Sequence, residues 1–238
     1  MSDEVILYDL PSKQGHCWSY NPWKTRLVLN YKSIPYKTEW TEYPDLKPKF
    51  EKFGIPPNET GAAYSSPTIR LPDGSYVMDS RRIADALERL HPNPPLHLDS
   101  PYQSRIESLI GQILTPIRPV FVPLVPKVFL NPASQAYFIP TREKAVGMGL
   151  EEFAKGADEG IQKASPFIRE LGEMLRENEG PFLQGKTPCY ADMIVLAWLR
   201  MMDRLGVSDK VFGLEGGQEL KTLYGEGVKQ GWFDRDSY

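Results

Sequence analysis

Apolar positions along the chain follow two different periods, and the period changes near residue 92. Val5-Ile6-Leu7-Tyr8 is a short β-branched and apolar run closed by Pro11, which predicts a strand. Over residues 21–32 the apolar positions Trp23, Leu27, Val28 and Tyr31 share one helical face, and Asn21-Pro22 reads as an N-cap followed by the first helical residue. Residues 35–40 alternate as a strand does. Residues 68–71 and 75–78 flank Pro72-Asp73-Gly74, a hairpin signature. Ile83, Ala84, Leu87 and Leu90 then share one face of a helix that His91-Pro92 stops. The order is β-α-β, a stretch that is either helical or irregular, then β-β-α: an α/β unit over residues 1–92.

Beyond Pro92-Asn93-Pro94-Pro95 the strand signals vanish. Residues 105–114 predict a helix. Leu150, Ala154, Ala157, Ile161, Ala164, Ile168, Leu171 and Leu175 recur at spacings alternating between four and three, which predicts one long helix along a single seam, bent at Pro166. Over 191–205 the residues Ile194, Val195, Leu196, Trp198, Met201 and Met202 leave few polar positions, and a helix apolar nearly all round belongs inside a bundle. Residues 100–238 therefore read as all-α. Between these helices, residues 115–140 carry Pro116, Pro119, Pro123, Pro126, Pro132 and Pro140 among Phe121, Phe129, Tyr137 and Phe138. Prolines this dense do not fit one regular helix. The segment is either an irregular loop with its aromatics in the core or the aromatic wall of a ligand pocket. In the second case Phe121, Phe129, Trp198 and Met202 would line it.

Composition narrows the function classes. A formal net charge of −3 without a long Lys/Arg run gives no electrostatic case for nucleic acid. No apolar run approaches the ~18 residues of a membrane span. The acidic start, Met1-Ser2-Asp3-Glu4, is unlike an export or transit signal, so the expected location is cytoplasmic. Cys17 and Cys189 lie far apart without CxxC spacing and are expected to stay reduced. His16, His91 and His97 lack metal-ligand spacing, so no metal is expected.

Four local signals carry a resemblance. They are Ser19-Tyr20-Asn21-Pro22-Trp23-Lys24-Thr25, with its serine six residues before Thr25; Ser65-Ser66-Pro67-Thr68-Ile69; Met78-Asp79-Ser80-Arg81-Arg82; and Gly185-Lys186-Thr187-Pro188-Cys189-Tyr190-Ala191-Asp192. In this order, over nearly the whole chain, they resemble the serine-type cytosolic glutathione transferases. The Ser-x-x-Pro-Trp-Lys form and the proline-rich insertion are most similar to the fungal etherase-like class. The resemblance implies a thioredoxin-like domain at 1–92, a helical domain at 100–238 supplying a hydrophobic pocket, glutathione as co-substrate, and a homodimer. It implies that Ser19 faces the glutathione sulfur, that Ser66 precedes a cis Pro67 and pairs with the peptide backbone, and that Asp79 and Ser80 take the γ-glutamyl group. Asn21 is either a second donor or simply a cap, Asp79-Ser80 have the same alternative, and Lys49 and Lys52 are equal candidates for the glycine carboxylate. Two features depart from the pattern: Cys189 stands where the capping turn usually carries Ser or Thr, and residues 44–64 are richer in proline and lysine than a standard second helix.

The chemistry follows from thiol ionisation. A free thiol of pKa ~8.5 is only ~3% thiolate at pH 7, and lowering it by ~2 units requires ~2.7 kcal/mol of preference for the anion. A hydroxyl and open helix N–H groups supply that preference. The implied function is attack by the glutathione thiolate on hydrophobic, aromatic electrophiles, aryl ethers included. The alternatives are a non-catalytic binder of phenolic ligands and a thiol transferase working through Cys17. Cys17 lies eight residues before Thr25, whereas the position facing the thiol is six before it, which is Ser19.

Overall fold

The computed structural model describes residues 4–236. Its first part contains β1 (Val5–Asp9), α1 (Tyr20–Tyr31), β2 (Tyr36–Trp40), α2 (Tyr43–Lys52), β3 (Thr68–Arg70), β4 (Tyr76–Met78) and α3 (Ser80–Leu90). The sheet order is β2-β1-β3-β4, parallel between β1 and β2 and antiparallel elsewhere. This is the thioredoxin-like βαβ-ββα arrangement. The register sets Tyr8 beside Thr68, and Thr68 beside Met78. The exit from β1, the entry to β3 and the exit from β4 therefore meet at one edge of the sheet.

Helix α1 begins earlier than Asn21. Ser19, extended at φ −78 and ψ 136, occupies the N-cap position, and Asn21 lies exposed in the first turn. Pro22 fits there because the first-turn N–H groups have no intrahelical acceptor to lose. The undecided stretch contains α2, with Pro44 in its first turn and Pro48 within it. Leu90 is the last residue of α3 and is exposed, so it leaves the apolar face that Ile83, Ala84 and Leu87 bury.

The second part is helical: α4 (Pro101–Leu114), α5 (Arg118–Phe121), α6 (Val125–Val128), α7 (Pro132–Val146), α8 (Leu150–Ala154), α9 (Ala157–Arg176), α10 (Tyr190–Arg204), α11 (Asp209–Phe212) and α12 (Gly217–Lys229). The prolines of residues 115–140 punctuate helices rather than abolish them. Pro119, Pro126 and Pro132 each stand in the first two residues of α5, α6 and α7, where a missing N–H costs nothing. The single long helix expected from Leu150 is instead two, α8 and α9, separated at Lys155-Gly156, and Pro166 lies inside α9. Gly156 caps α9, and one turn later Gly160 lies so close to the Pro116 carbonyl that a Cβ would stand 2.2 Å from it. The start of α9 is thus packed closely onto the turn after α4.

Helix α10 is buried nearly all round and packs against α1, α4 and α12, joining the two parts. Its start is fixed by Asp192, whose carboxylate accepts the N–H groups of Cys189 at 2.8 Å and Leu183 at 2.9 Å. The Cys189 thiol donates to the same carboxylate at 3.2 Å, so the cysteine acts here as a donor, and the acidic half of the capping box is intact.

Within the sheet, Arg26 of α1 is enclosed beside Asp9, the last residue of β1, with Nε 2.8 Å from Oδ2. Its other nitrogens reach Thr38 at 2.9 Å, the Arg235 carbonyl at 3.3 Å and the Tyr36 hydroxyl at 3.4 Å. Removing one partner of such a pair strands a buried charge. Arg26→Met is therefore expected to lower the urea-unfolding free energy by ~3–5 kcal/mol, and a further Asp9→Leu to recover much of it. A loss below ~1 kcal/mol for the single variant would show that the pair does not hold α1 to the sheet.

Candidate active site at the amino end of the first helix

The shared sheet edge brings together the loop 10–19, the Ser66-Pro67 turn and the Asp79-Ser80 start of α3. Ser19 is half-buried at the head of α1, and its hydroxyl makes no capping bond to the helix. The Trp23 N–H is taken by the Ser19 carbonyl at 3.0 Å, and Pro22 has no N–H. The N–H groups of Tyr20 and Asn21 have no backbone acceptor among the described residues. A free hydroxyl and open donors thus converge at the positive end of the helix dipole, an arrangement suited to one anion.

The loop that carries Ser19 is tied down at several points. Ser12 Oγ donates to the His16 carbonyl at 2.6 Å and accepts the His16 N–H at 3.2 Å. The Lys13 N–H meets the Phe129 carbonyl at 2.8 Å, and Trp18 stacks on the Phe129 ring with centroids 5.0 Å apart. Trp18 Nε1 donates to the Pro11 carbonyl at 3.2 Å, and the Cys17 N–H to the Asp236 carbonyl at 2.7 Å.

The Ser66-Pro67 peptide is cis. Ser66 Oγ donates to the Tyr8 carbonyl at 3.0 Å, while the Ser66 N–H and C=O have no backbone partner among the described residues. An extended peptide could pair with that open backbone. Asp79 sits at φ +87, a conformation costing a non-glycine residue ~1–3 kcal/mol, and its N–H meets the Pro67 carbonyl at 3.3 Å. Asp79 Oδ1 caps α3 through the N–H groups of Arg81 at 2.9 Å and Arg82 at 3.2 Å. The capping reading is thus realised, yet it uses only one carboxylate oxygen, and the side chain is exposed. Ser80 opens α3, with its carbonyl held by the Tyr190 hydroxyl at 3.1 Å.

Lys24, a motif residue whose charge the sequence reading left without a role, lies 4.1 Å over the Tyr20 ring. Burial lowers its pKa to about 8, against the opposing pull of the Asp79 and Glu107 carboxylates. It is a titratable cation within electrostatic reach of Asp79. Of the two basic candidates for the glycine carboxylate, Lys49 is engaged by Glu39 at 2.7 Å and Thr41 at 2.8 Å, and Lys52 is exposed.

Other residues lie away from any ligand surface. Cys17 is fully enclosed, and burial pushes its thiol up to about 12. Cys189 is likewise buried and raised to about 12, by burial and then by the Asp192 carboxylate. Phe129, Trp198 and Met202 have no exposed surface, because Phe129 anchors the loop and the other two fill the core side of α10. They do not form a pocket wall. Phe121 is half-buried. A cavity of about 470 Å³ does open between the loop and the proline-rich segment, with Lys13, Pro123, Pro126, Ile139 and Leu150 in its lining. Burial, followed by the charges of Arg204 and Arg200, lowers the His16 pKa. Among the described residues no group of three or more His, Cys, Asp and Glu side chains could hold a metal ion.

Comparison with known proteins agrees with this fold. Residues 18–90 match the glutathione S-transferase N-terminal domain and residues 103–218 the glutathione S-transferase C-terminal domain. The glutathione S-transferase-like protein ustS of Aspergillus flavus is 29% identical, over 90% of this chain and 88% of that protein. Glutathione transferase GSTFuA3 of Phanerochaete chrysosporium superposes with a TM-score of 0.86 at 26% identity, covering 97% of this chain and 98% of that one. The glutathione S-transferase CsGST63524 of Ceriporiopsis subvermispora, solved in complex with glutathione, gives 0.83 at 26% identity, over 95% of this chain and 97% of that one. With both domains matched in order, and fungal transferases superposing along nearly its whole length, the chain belongs to the glutathione transferase superfamily.

Proposed function

We propose that the protein is a glutathione transferase that holds the glutathione thiolate at Ser19. The observation that carries this reading is a serine at an N-cap position whose hydroxyl does not cap. Left free, the hydroxyl donates to sulfur, and the Tyr20 and Asn21 N–H groups add to the field favouring the anion. The thiol proton leaves to solvent, the sulfur forms a bond to an electrophilic carbon, and the leaving group departs with the electron pair of the broken bond. Ser66 offers its open backbone to the cysteinyl unit, Asp79 its second carboxylate oxygen to the γ-glutamyl ammonium, and Ser80 its N–H to the neighbouring carboxylate. That CsGST63524 and CsGST83044 of Ceriporiopsis subvermispora were solved with glutathione supports the same ligand here. The electrophile in this reading is hydrophobic and aromatic, with aryl ethers as the first class to assay. A cytoplasmic homodimer belongs to the same proposal.

A second reading, a binder of phenolic ligands, is favoured by the cavity beside Lys13, whose proline and aliphatic lining suits a planar ring and whose Lys13, Lys127, Glu143 and Glu151 side chains offer both donors and acceptors to a phenol hydroxyl. Tight fluorescence titration by hydroxylated aromatics without detectable conjugation would select it. The cysteine reading has no such support, since Cys17 presents neither surface nor an easily ionised thiol.

Two outcomes are expected. Ser19→Ala should keep glutathione binding, lose ~100-fold in kcat/KM near neutral pH, and move the acid limb of the pH profile up by ~2 units toward the free-thiol value of ~8.5. The sign follows from the anion: a depressed thiol pKa keeps activity at lower pH, and losing the donor removes it there first. An unmoved limb would take Ser19 out of the mechanism. Thiol alkylation of the native protein at pH 8 should leave Cys17 and Cys189 unmodified, with both reacting after denaturation. Rapid native labelling at Cys17, read by mass spectrometry, would revive the cysteine reading.

A further inference from the structure

After α12 the chain turns back and crosses the α/β part. Asn30 Nδ2 donates to the Trp232 carbonyl at 2.7 Å, and the Tyr36 hydroxyl to the Arg235 carbonyl at 3.0 Å. The Arg235 guanidinium returns bonds to the carbonyls of Ile34 at 3.2 Å and Tyr36 at 2.9 Å. Residues 232–236 therefore form a strap bonded along its length to α1, β2 and the turn between them.

Asp236 ends the described strap and makes two kinds of contact. Its carbonyl accepts the Cys17 N–H at 2.7 Å. Its carboxylate is clamped by two arginines one turn apart on α10, Arg200 at 3.1 Å and Arg204 closer still. Arg200 is itself steadied by the Tyr224 hydroxyl at 3.0 Å and Asp203 at 3.2 Å. The helical bundle thus grips one side of Asp236, and the loop to the first helix hangs from the other. Cys17 is two residues before Ser19, a span of at most ~7 Å of chain, so a displacement at Cys17 reaches the serine with little slack.

We propose that Asp236 is a positioning residue for Ser19, transmitting the rigidity of α10 through the Cys17 backbone to the hydroxyl that faces the substrate sulfur. The proposal rests on the reading of Ser19 as the sulfur's donor. The charged and titratable groups facing this corner are Asp9 and Arg26 from the sheet and α1, His16 and Cys17 from the loop, Arg200, Asp203 and Arg204 from α10, Tyr224 from α12, and Arg235 from the strap itself. Losing the Asp236 carboxylate leaves the two arginines facing each other without their shared partner. The strap end then separates from α10, and the loop loses its backbone anchor at Cys17, leaving Trp18 held by its side chain alone.

The test compares Asp236→Ala, Asp236→Asn and Ser19→Ala in the full-length protein, with glutathione and a generic aromatic electrophile. Asp236→Ala is expected to move the acid limb of the kcat/KM profile up by ~0.5–1 unit and to lower kcat/KM near pH 6.5 by ~3–10-fold. Cys17 amide protection from hydrogen exchange should fall at the same time. Asp236→Asn, which keeps an oxygen acceptor for the arginines, is expected to restore at least half of each shift. A limb that stays in place in Asp236→Ala while moving in Ser19→Ala would overturn the proposal and leave the Ser19 reading intact, as would a change in thermal midpoint alone. A limb unmoved by Ser19→Ala would overturn the Ser19 reading, and the proposal with it, so the two failures are told apart. Should Asp236→Ala not fold, Arg204→Gln releases the same clamp from the other side and is read against the same criteria.

Discussion

Arg26 is enclosed within the α/β part, and each face of its guanidinium meets something the fold needs in place. Asp9 closes β1, Thr38 and Tyr36 belong to β2, and the Arg235 carbonyl comes from the returning strap. Burying a charge here is tolerable only because so many acceptors converge on it. Burial raises the Asp9 pKa, while the Arg26 charge and hydrogen bond act in the opposite sense. The Asp9 carbonyl also accepts the Thr41 N–H at 2.8 Å, so the exits of β1 and β2 are fixed to each other. Everything at the sheet edge is referenced to that point: the loop that departs from Asp9 returns as the helix that carries Arg26. The position of Ser19 follows from closing this loop between the two ends of one ion pair.

The site is shared between rigid and adjustable parts. Ser66 and Asp79 are placed by sheet register and by bonds among neighbours, so their geometry is intrinsic to the α/β part. Ser19 depends in addition on the Phe129 ring and carbonyl from the proline-rich segment and on the strap. The proline-rich stretch thereby acquires a structural reason. Successive short helices, each started by its own proline, lay a backbone carbonyl and an aromatic face beneath the loop that a single long helix would carry past it.

Much of this was legible in the residues themselves. The strands, α1, α3 and α10 follow from apolar periodicity, and the Ser66-Pro67 and Asp79-Ser80 turns from contiguous residues whose chemistry is local. Three features were not. The start of α1 was placed late because Asn21-Pro22 is a strong capping pair, and only the extended backbone of Ser19 shows that the serine holds the cap position. The break before α9 was missed, since the spacing of Leu150, Ala154, Ala157 and Ile161 stays in phase across it, whereas the approach of Gly160 to Pro116 is a tertiary contact. Phe129, Trp198 and Met202 have the composition of a pocket wall, and their enclosure depends on what covers them. The strap was invisible for the plainest reason. Arg235 and Arg26 are 209 positions apart, and no periodicity or motif connects them.

That separation also orders events in time. Chains emerge from the ribosome amino end first, so the residues of the sheet and its three helices are all made while the strap is still untranslated. Until then Arg26 lacks its acceptor at Arg235, and the Cys17 amide lacks its acceptor at Asp236. A nascent chain with its α/β half already translated therefore still has an unanchored serine loop. The residues that finish the corner are made long after those that begin it.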